Sequence, residues 1–99
     1  MLLVIGTVRL PSENMALARA AMESMILASR VEQGCEAYGY AEDVLVPGLM
    51  HVKEIWRSRA DLERHFASEH IAAWRATWPA LGIHDRSLCL YETAGGSPI

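Results

Sequence analysis

The change of period at Ser58 constrains this chain more than any other feature. From Met50 to Arg57 the residues alternate. Met50, Val52, Glu54 and Trp56 share one side of an extended segment; His51, Lys53, Ile55 and Arg57 share the other. At Ser58 the alternation gives way to a helical pattern. Ser58 and Asp61 have the spacing of a capping box, in which the serine hydroxyl accepts the Asp61 N–H and Asp61 reaches back to the Ser58 N–H. Leu62 and Phe66 give this helix an apolar stripe, and His65 lies beside it with Asp61 and Glu69 four residues to either side. Ser68-Glu69-His70 reads as a second cap, where the helix bends or restarts. Ile71, Trp74 and Trp78 form a second stripe, which Pro79 ends.

The remaining segments supply the partners of this strand-helix unit. Leu2 to Leu10 is apolar and β-branched and reads as a central strand, with Gly6 allowing a helix or a ligand to approach the backbone closely. Arg9 at its end is a solvated charge or a contact for an anionic substrate. Ser12 caps a helix whose Met15, Ala18, Met22, Met25 and Ile26 recur at helical spacing through Arg30, with Gly34 as a left-handed stop. That methionine stripe suits a core or an adaptable pocket wall. Cys35, Ala37, Gly39 and Ala41 then face one way, and Glu36, Tyr38, Tyr40 and Glu42 the other. Pro47-Gly48 has the residues of a type II turn, so a hairpin joins this strand to the one beginning near Leu49. Arg86 to Thr93 is the last strand, with Leu88 and Leu90 opposite Cys89 and Tyr91. The order βαββαβ predicts an α+β, ferredoxin-like domain over residues 1–94: a four-stranded antiparallel sheet with its helices on one face. Residues 95–99 form a tail.

Composition bears on partners. Just over half of the 99 residues are apolar, more than so short a chain buries alone, and its strands are apolar on much of both faces. A second copy packed against the bare side of the sheet is the economical cover, which predicts a homodimer. The net charge of −3 and the scattered basic residues argue against nucleic acid. No apolar run is long enough to span a bilayer, and a cytoplasmic location is expected. Cys35 and Cys89 read as small buried hydrophobes with no activating neighbour. His51, His65, His70 and His84 show no tight ligand spacing, so no metal site is expected.

The pattern Glu54-Ile55-Trp56, Asp61-Leu62 and His65-Phe66-Ala67-Ser68-Glu69-His70 resembles the antibiotic biosynthesis monooxygenase family, which includes small quinol and anthrone monooxygenases. The resemblance implies a dimeric α+β barrel with one pocket per subunit between sheet and helices. It also implies oxidation of a small aromatic, hydroquinone or anthrone-like substrate by O2 without any cofactor. Such chemistry needs an apolar cavity, flat walls and a proton acceptor working near neutral pH. His65 is the candidate catalytic base, oriented by Asp61 or Glu69, unless that column is only a solvated helix face. Trp56, Phe66, Trp74 and Trp78 are candidate walls, and Tyr38 or His51 could hydrogen-bond a substrate oxygen. Glu54 and His70 are supporting residues. Haem-degrading relatives carry an Asn where Gly6-Thr7 stands here and an axial His near Arg75, so the resemblance disfavours haem. The alternatives on the same scaffold are a non-catalytic dimeric ligand-binding module and an isomerase or cyclase.

Overall fold

Alternation decides which side of the two central strands is buried, and the helices cover that side. The computed structural model describes residues 1–99. β1 (Leu2–Arg9) leads through a single 3-10 turn at Ser12–Asn14 into α1 (Met15–Arg30). β2 (Cys35–Glu42), β3 (Leu49–Trp56), α2 (Arg59–Phe66), α3 (Glu69–Ala76), a last turn α4 (Trp78–Leu81) and β4 (His84–Glu92) follow. The strands form one antiparallel sheet in the order β2-β3-β1-β4. The ferredoxin-like βαββαβ arrangement expected from the pattern is present.

Leu2, Val4 and Val8 of β1 and Met50, Val52 and Trp56 of β3 are buried, and Tyr38 of β2 joins them. Onto this surface α1 lays Ala18, Met22, Met25 and Ser29, one stripe at three- and four-residue spacing. Ala18 and Trp56 have no exposure at all. Leu62, Ile71 and Trp74 close the core from α2 and α3. The opposite face carries Leu3, Ile5 and Thr7, with His51, Lys53 and Ile55 beside them in register. There Ile5 is 40% exposed and Tyr91 53%. Ion pairs such as Arg57–Glu36 and Arg59–Glu92 are exposed, and pairs of that kind contribute little. Apolar burial therefore holds the fold.

Several local expectations change. α1 starts at Met15 rather than at a Ser12 cap; Asn14 precedes it, and its side chain is drawn off to donate to the Leu81 carbonyl at 3.0 Å. The helix ends at Val31, so Gly34 is not its stop. Gly34 does have a positive φ of 81°, and a side chain there would strike Asp61, so it lets the connection pass under the start of α2. What comes close to Gly6 is neither a helix nor a ligand but β4: an added Cβ would overlap the Ser87 carbonyl and the backbone of Leu88. A register shift between Cys35 and Ala37 breaks the small-residue face, and Cys35 packs against the core. Pro79 opens α4 instead of ending a helix, because a first-turn residue needs no N–H donor. The Pro47-Gly48 turn forms as expected, closed by the Leu49 N–H on the Val46 carbonyl at 3.2 Å.

Trp56 is the largest fully buried side chain. Trp56→Ala should cost about 3–5 kcal/mol in urea unfolding. For a domain with about 5–15 kcal/mol in total, that is a large share. A loss below about 1 kcal/mol would mean that Trp56 is not the centre of the core.

Candidate active site

Three neighbouring elements bring the site residues together. β3 places Glu54 and Trp56 on the helix side of the sheet, and two residues apart is the spacing that lets the indole reach the carboxylate. Trp56 Nε1 donates to Glu54 Oε1 at 2.9 Å, and Glu54 is 3% exposed. α2 brings His65. Ser58 caps this helix, its hydroxyl accepting the Asp61 N–H at 3.2 Å and donating to Asp61 Oδ2 at 2.9 Å. The return contact thus comes from the serine hydroxyl, not its N–H. The helix breaks after Phe66, where Ser68 donates to the His65 carbonyl at 2.6 Å and caps α3 by accepting the Ile71 N–H. The break leaves His65 in the last turn of α2, directed inward and 2% exposed.

The group that orients His65 comes from the connection between α1 and β2. Glu32 Oε2 lies 2.5 Å from His65 Nδ1 and 3.2 Å from His70 Nε2. Asp61 does not do this, contrary to expectation. It is committed to the cap and to Arg64, 2.9 Å away, and these partners hold its carboxyl below the usual range. Glu69 is exposed in the first turn of α3. The four-residue column fails because His65 points into the protein, whereas the column describes a helix surface. His51 is also misplaced as a substrate contact. It lies on the far face of the sheet, 53% exposed, and pairs with Asp43 at 2.7 Å beside the β2–β3 turn.

Aromatic rings enclose the imidazole. Ring centres of Trp56, Tyr38 and Phe66 lie 4.7, 5.2 and 5.8 Å from it. Trp74 stands one layer away, edge-on to Tyr40 at 6.1 Å and to Trp78 at 6.2 Å. Trp74 Nε1 and Trp78 Nε1 are buried with no acceptor in hydrogen-bonding geometry. Orphaned donors of this kind are uncommon in native interiors, and here both indoles line the same small space. Burial pushes the Tyr38 and Tyr40 phenols up, so both remain protonated donors at neutral pH.

Electrostatics set the protonation states. Burial lowers the His65 pKa although Glu32 opposes the shift, so the ring is neutral near pH 7. A neutral ring whose Nδ1–H is given to Glu32 keeps its lone pair on Nε2. That nitrogen lies 3.9 Å from Glu54 Oε1, whose carboxyl burial pushes up. The arrangement offers a dry, oriented proton acceptor with a second carboxyl group behind it.

The enclosed space beside His65 is small, about 20 Å³, lined among others by Tyr40, Glu54, Phe66, Trp74 and Arg86. That is room for no more than about one water-sized group; an apolar cavity that binds benzene measures about 150 Å³. A second cavity of about 130 Å³ between α2 and β4 shares Phe66, Arg86 and Leu88 with the first. Phe66 is 43% exposed and Arg86 is exposed, and both side chains stand where the two cavities meet. The largest depression, a groove of about 770 Å³ between α1 and the edge of β2, includes neither His65 nor Glu54. Glu32 and Arg86 are the site residues that sequence reasoning missed. No local signal marks Glu32; Arg86 could have been placed by period two from Leu88, which pairs with Gly6.

The buried histidine makes stability depend on pH. Unfolded, His65 takes its proton near pH 6.5; folded, only at lower pH. Between those values the unfolded chain holds the extra proton, so this stability is complete above about pH 6.5 and is lost as pH falls. Glu32, Glu54, Tyr38, His70 and Arg75 also face the ring, and Glu54 acts in the opposite sense within its own range. The difference between wild type and His65→Gln isolates the term. Urea midpoints measured from pH 7.5 to 5 should fall more steeply for wild type; parallel curves would show that His65 does not titrate as described.

The family profile described as antibiotic biosynthesis monooxygenase matches residues 1–77. A solved structure from Deinococcus radiodurans, provisionally assigned as an antibiotic biosynthesis monooxygenase, is 25% identical with a TM-score of 0.91. The match covers 100% of this chain and 98% of that one. A second structure named antibiotic biosynthesis monooxygenase is also 25% identical, with a TM-score of 0.85 over 96% of this chain and 100% of that one. An uncharacterized protein of Synechocystis sp. is 26% identical over 93 residues, 94% of this chain; the chain spans 63% of that relative's length. With the fold and the matched residues in agreement, the chain belongs to the antibiotic biosynthesis monooxygenase family.

Proposed function

We propose that this protein is a cofactor-independent monooxygenase acting on a small hydroquinone, anthrone-like or other electron-rich aromatic compound, with His65 as the catalytic base. The observation that carries the reading is the His65 imidazole, buried among aromatic rings, with Nδ1 held by Glu32 and Nε2 left free. In this reading Nε2 takes a proton from a phenol or an activated ring carbon. The resulting anion passes one electron to O2, and the radical pair recombines to a peroxide. The peroxide takes back the proton held on Nε2, and loss of water then leaves a new carbonyl: one oxygen atom enters the product and the other leaves as water. Trp56, with no exposed surface, braces His65 from within the core and does not reach the cavity. The protein's part is to hold the ring flat against Phe66 and Trp74, keep water out, and accept the proton. The Tyr38 phenol and the two unpartnered indole N–H groups are donors for substrate oxygens. Glu54 is a way station for the proton once Nε2 has accepted it.

The half-exposed face of the sheet supports the homodimer. Ile5 and Tyr91 lie there with the aliphatic Leu3 and Ile55, and the helices cover only the other side. Ile5→Lys, at the centre of that face, should shift sedimentation toward a single copy. A wild type that already sediments as one copy would remove the dimer from the reading.

Oxygen dependence separates the readings. Wild type incubated with naphthohydroquinones and anthrones should consume O2 faster than autoxidation. His65→Ala should lower that rate by about 10²–10⁴, the share of a positioned general base. Saturable quenching of Trp fluorescence without turnover would instead identify a ligand-binding module. Turnover that persists in an anaerobic chamber would identify an isomerase or cyclase.

A further inference from the structure

We propose that Glu32, His65 and His70 form a binding site for a divalent first-row transition cation, with Zn²⁺ as the reference, and that filling it withdraws His65 from base chemistry. The second half rests on the reading of His65 given above; the first does not. The three residues come from separate elements: the α1–β2 connection, the last turn of α2 and the first turn of α3. Each offers one ligand atom, and the three atoms lie within 4.8 Å of one another. Both imidazoles converge on a single oxygen, Glu32 Oε2, at 2.5 and 3.2 Å. Two imidazole nitrogens and a carboxylate oxygen are a donor set that suits Zn²⁺, Fe²⁺, Co²⁺ and Ni²⁺. In a tetrahedral site with bonds near 2.1 Å, ligand atoms stand about 3.3 Å apart. Coordination thus asks the shorter contact to open by about 1 Å and the two imidazole nitrogens, which lie within 4.8 Å of each other, to stand at that same spacing.

Two further observations favour a cation. Glu54 Oε1 lies 3.9 Å from His65 Nε2, on the far side of the ring from the cluster. This is the carboxylate–histidine–metal order that fixes a ligand's tautomer and raises its basicity. His70 also lines a crevice of about 150 Å³ between α1 and α3, together with Ser24, Met25 and Thr77, which gives an ion a path in. Coordination through Nδ1 moves the ring proton to Nε2 with no net gain or loss. Nε2–H then faces Glu54 as a donor, and the lone pair that would accept a substrate proton is gone. Spacing could not reveal this group, because Glu32 is 33 residues from His65.

The test is a Co²⁺ titration of metal-stripped full-length protein, read by visible ligand-field absorption, followed by displacement with Zn²⁺. The expected result is one Co²⁺ per chain, displaced by Zn²⁺. Glu32→Gln and His70→Ala should weaken binding at least about tenfold, and Glu54→Gln about 10–100-fold, as outer-shell changes do. Circular dichroism checks that each variant folds, with His70→Gln replacing His70→Ala if the latter unfolds. Absence of ligand-field bands at millimolar Co²⁺, or bands of wild-type strength in both Glu32→Gln and the His70 variant, would overturn the site. Bands without oxygen uptake in any metal state would uphold the site and reject the base reading. Oxygen uptake unchanged by saturating Zn²⁺ would overturn the claimed withdrawal of His65.

Discussion

Glu54 is a carboxyl group set among Met50, Val52 and Trp56 on the buried side of a sheet, and that placement imposes requirements on everything around it. An ionised carboxylate in such a position costs several kcal/mol unless it is paired or stays protonated. The molecule meets the cost from two directions. The neighbouring indole donates to the carboxylate along the same strand. The imidazole of His65 stands over it from the helix layer, held by Glu32 from behind. The helix break at Ser68, the short α2 and the path of the α1–β2 connection all serve to bring those two groups to one point. An apolar residue at position 54 would pack more cheaply, so Glu54 is not what stabilises this part of the core.

The same arrangement explains why the site is closed. Rings packed at about van der Waals distance around the imidazole leave room for little more than a water molecule. A dry interior strengthens the hold of Glu32 on His65 and favours the neutral ring. It also means that access depends on surface side chains. Phe66 and Arg86 are the exposed members of the wall, and both sit where two cavities meet.

Family membership gives the frame, and a polar cluster inside the matched range gives that frame its chemistry. The profile match covers residues 1–77 and the fold similarity the whole chain, and a shared fold does not by itself fix a reaction. Glu32, His65, His70 and Glu54 instead form a specific polar cluster within that frame. It is their mutual geometry, with both imidazoles on one carboxylate oxygen, that gives the frame a chemical character.

What the sequence determined by itself was local. Alternation from Met50 to Arg57 set the buried side of β3, and with it the inward placement of Glu54 and Trp56. Ser58 and Ser68 marked the two helix starts, and Pro47-Gly48 marked the hairpin. These depend on contacts within a few residues, where steric and hydrogen-bond rules act on the chain directly. Element order and period then sufficed for the sheet-and-helix class. The tertiary structure alone decided which charge meets which ring. Asp61 and Glu69 were near His65 in sequence, yet Glu32 reached it, because the last turn of α2 faces inward and the α1–β2 connection passes beneath it. His51, close to Glu54 along the strand, went to the opposite face. The role of β4 against Gly6, and of Arg86 beside the cavity, likewise came from strands far apart in sequence being paired. Spacing along a chain constrains neighbours on one element; it carries no information about approach between elements, which packing settles.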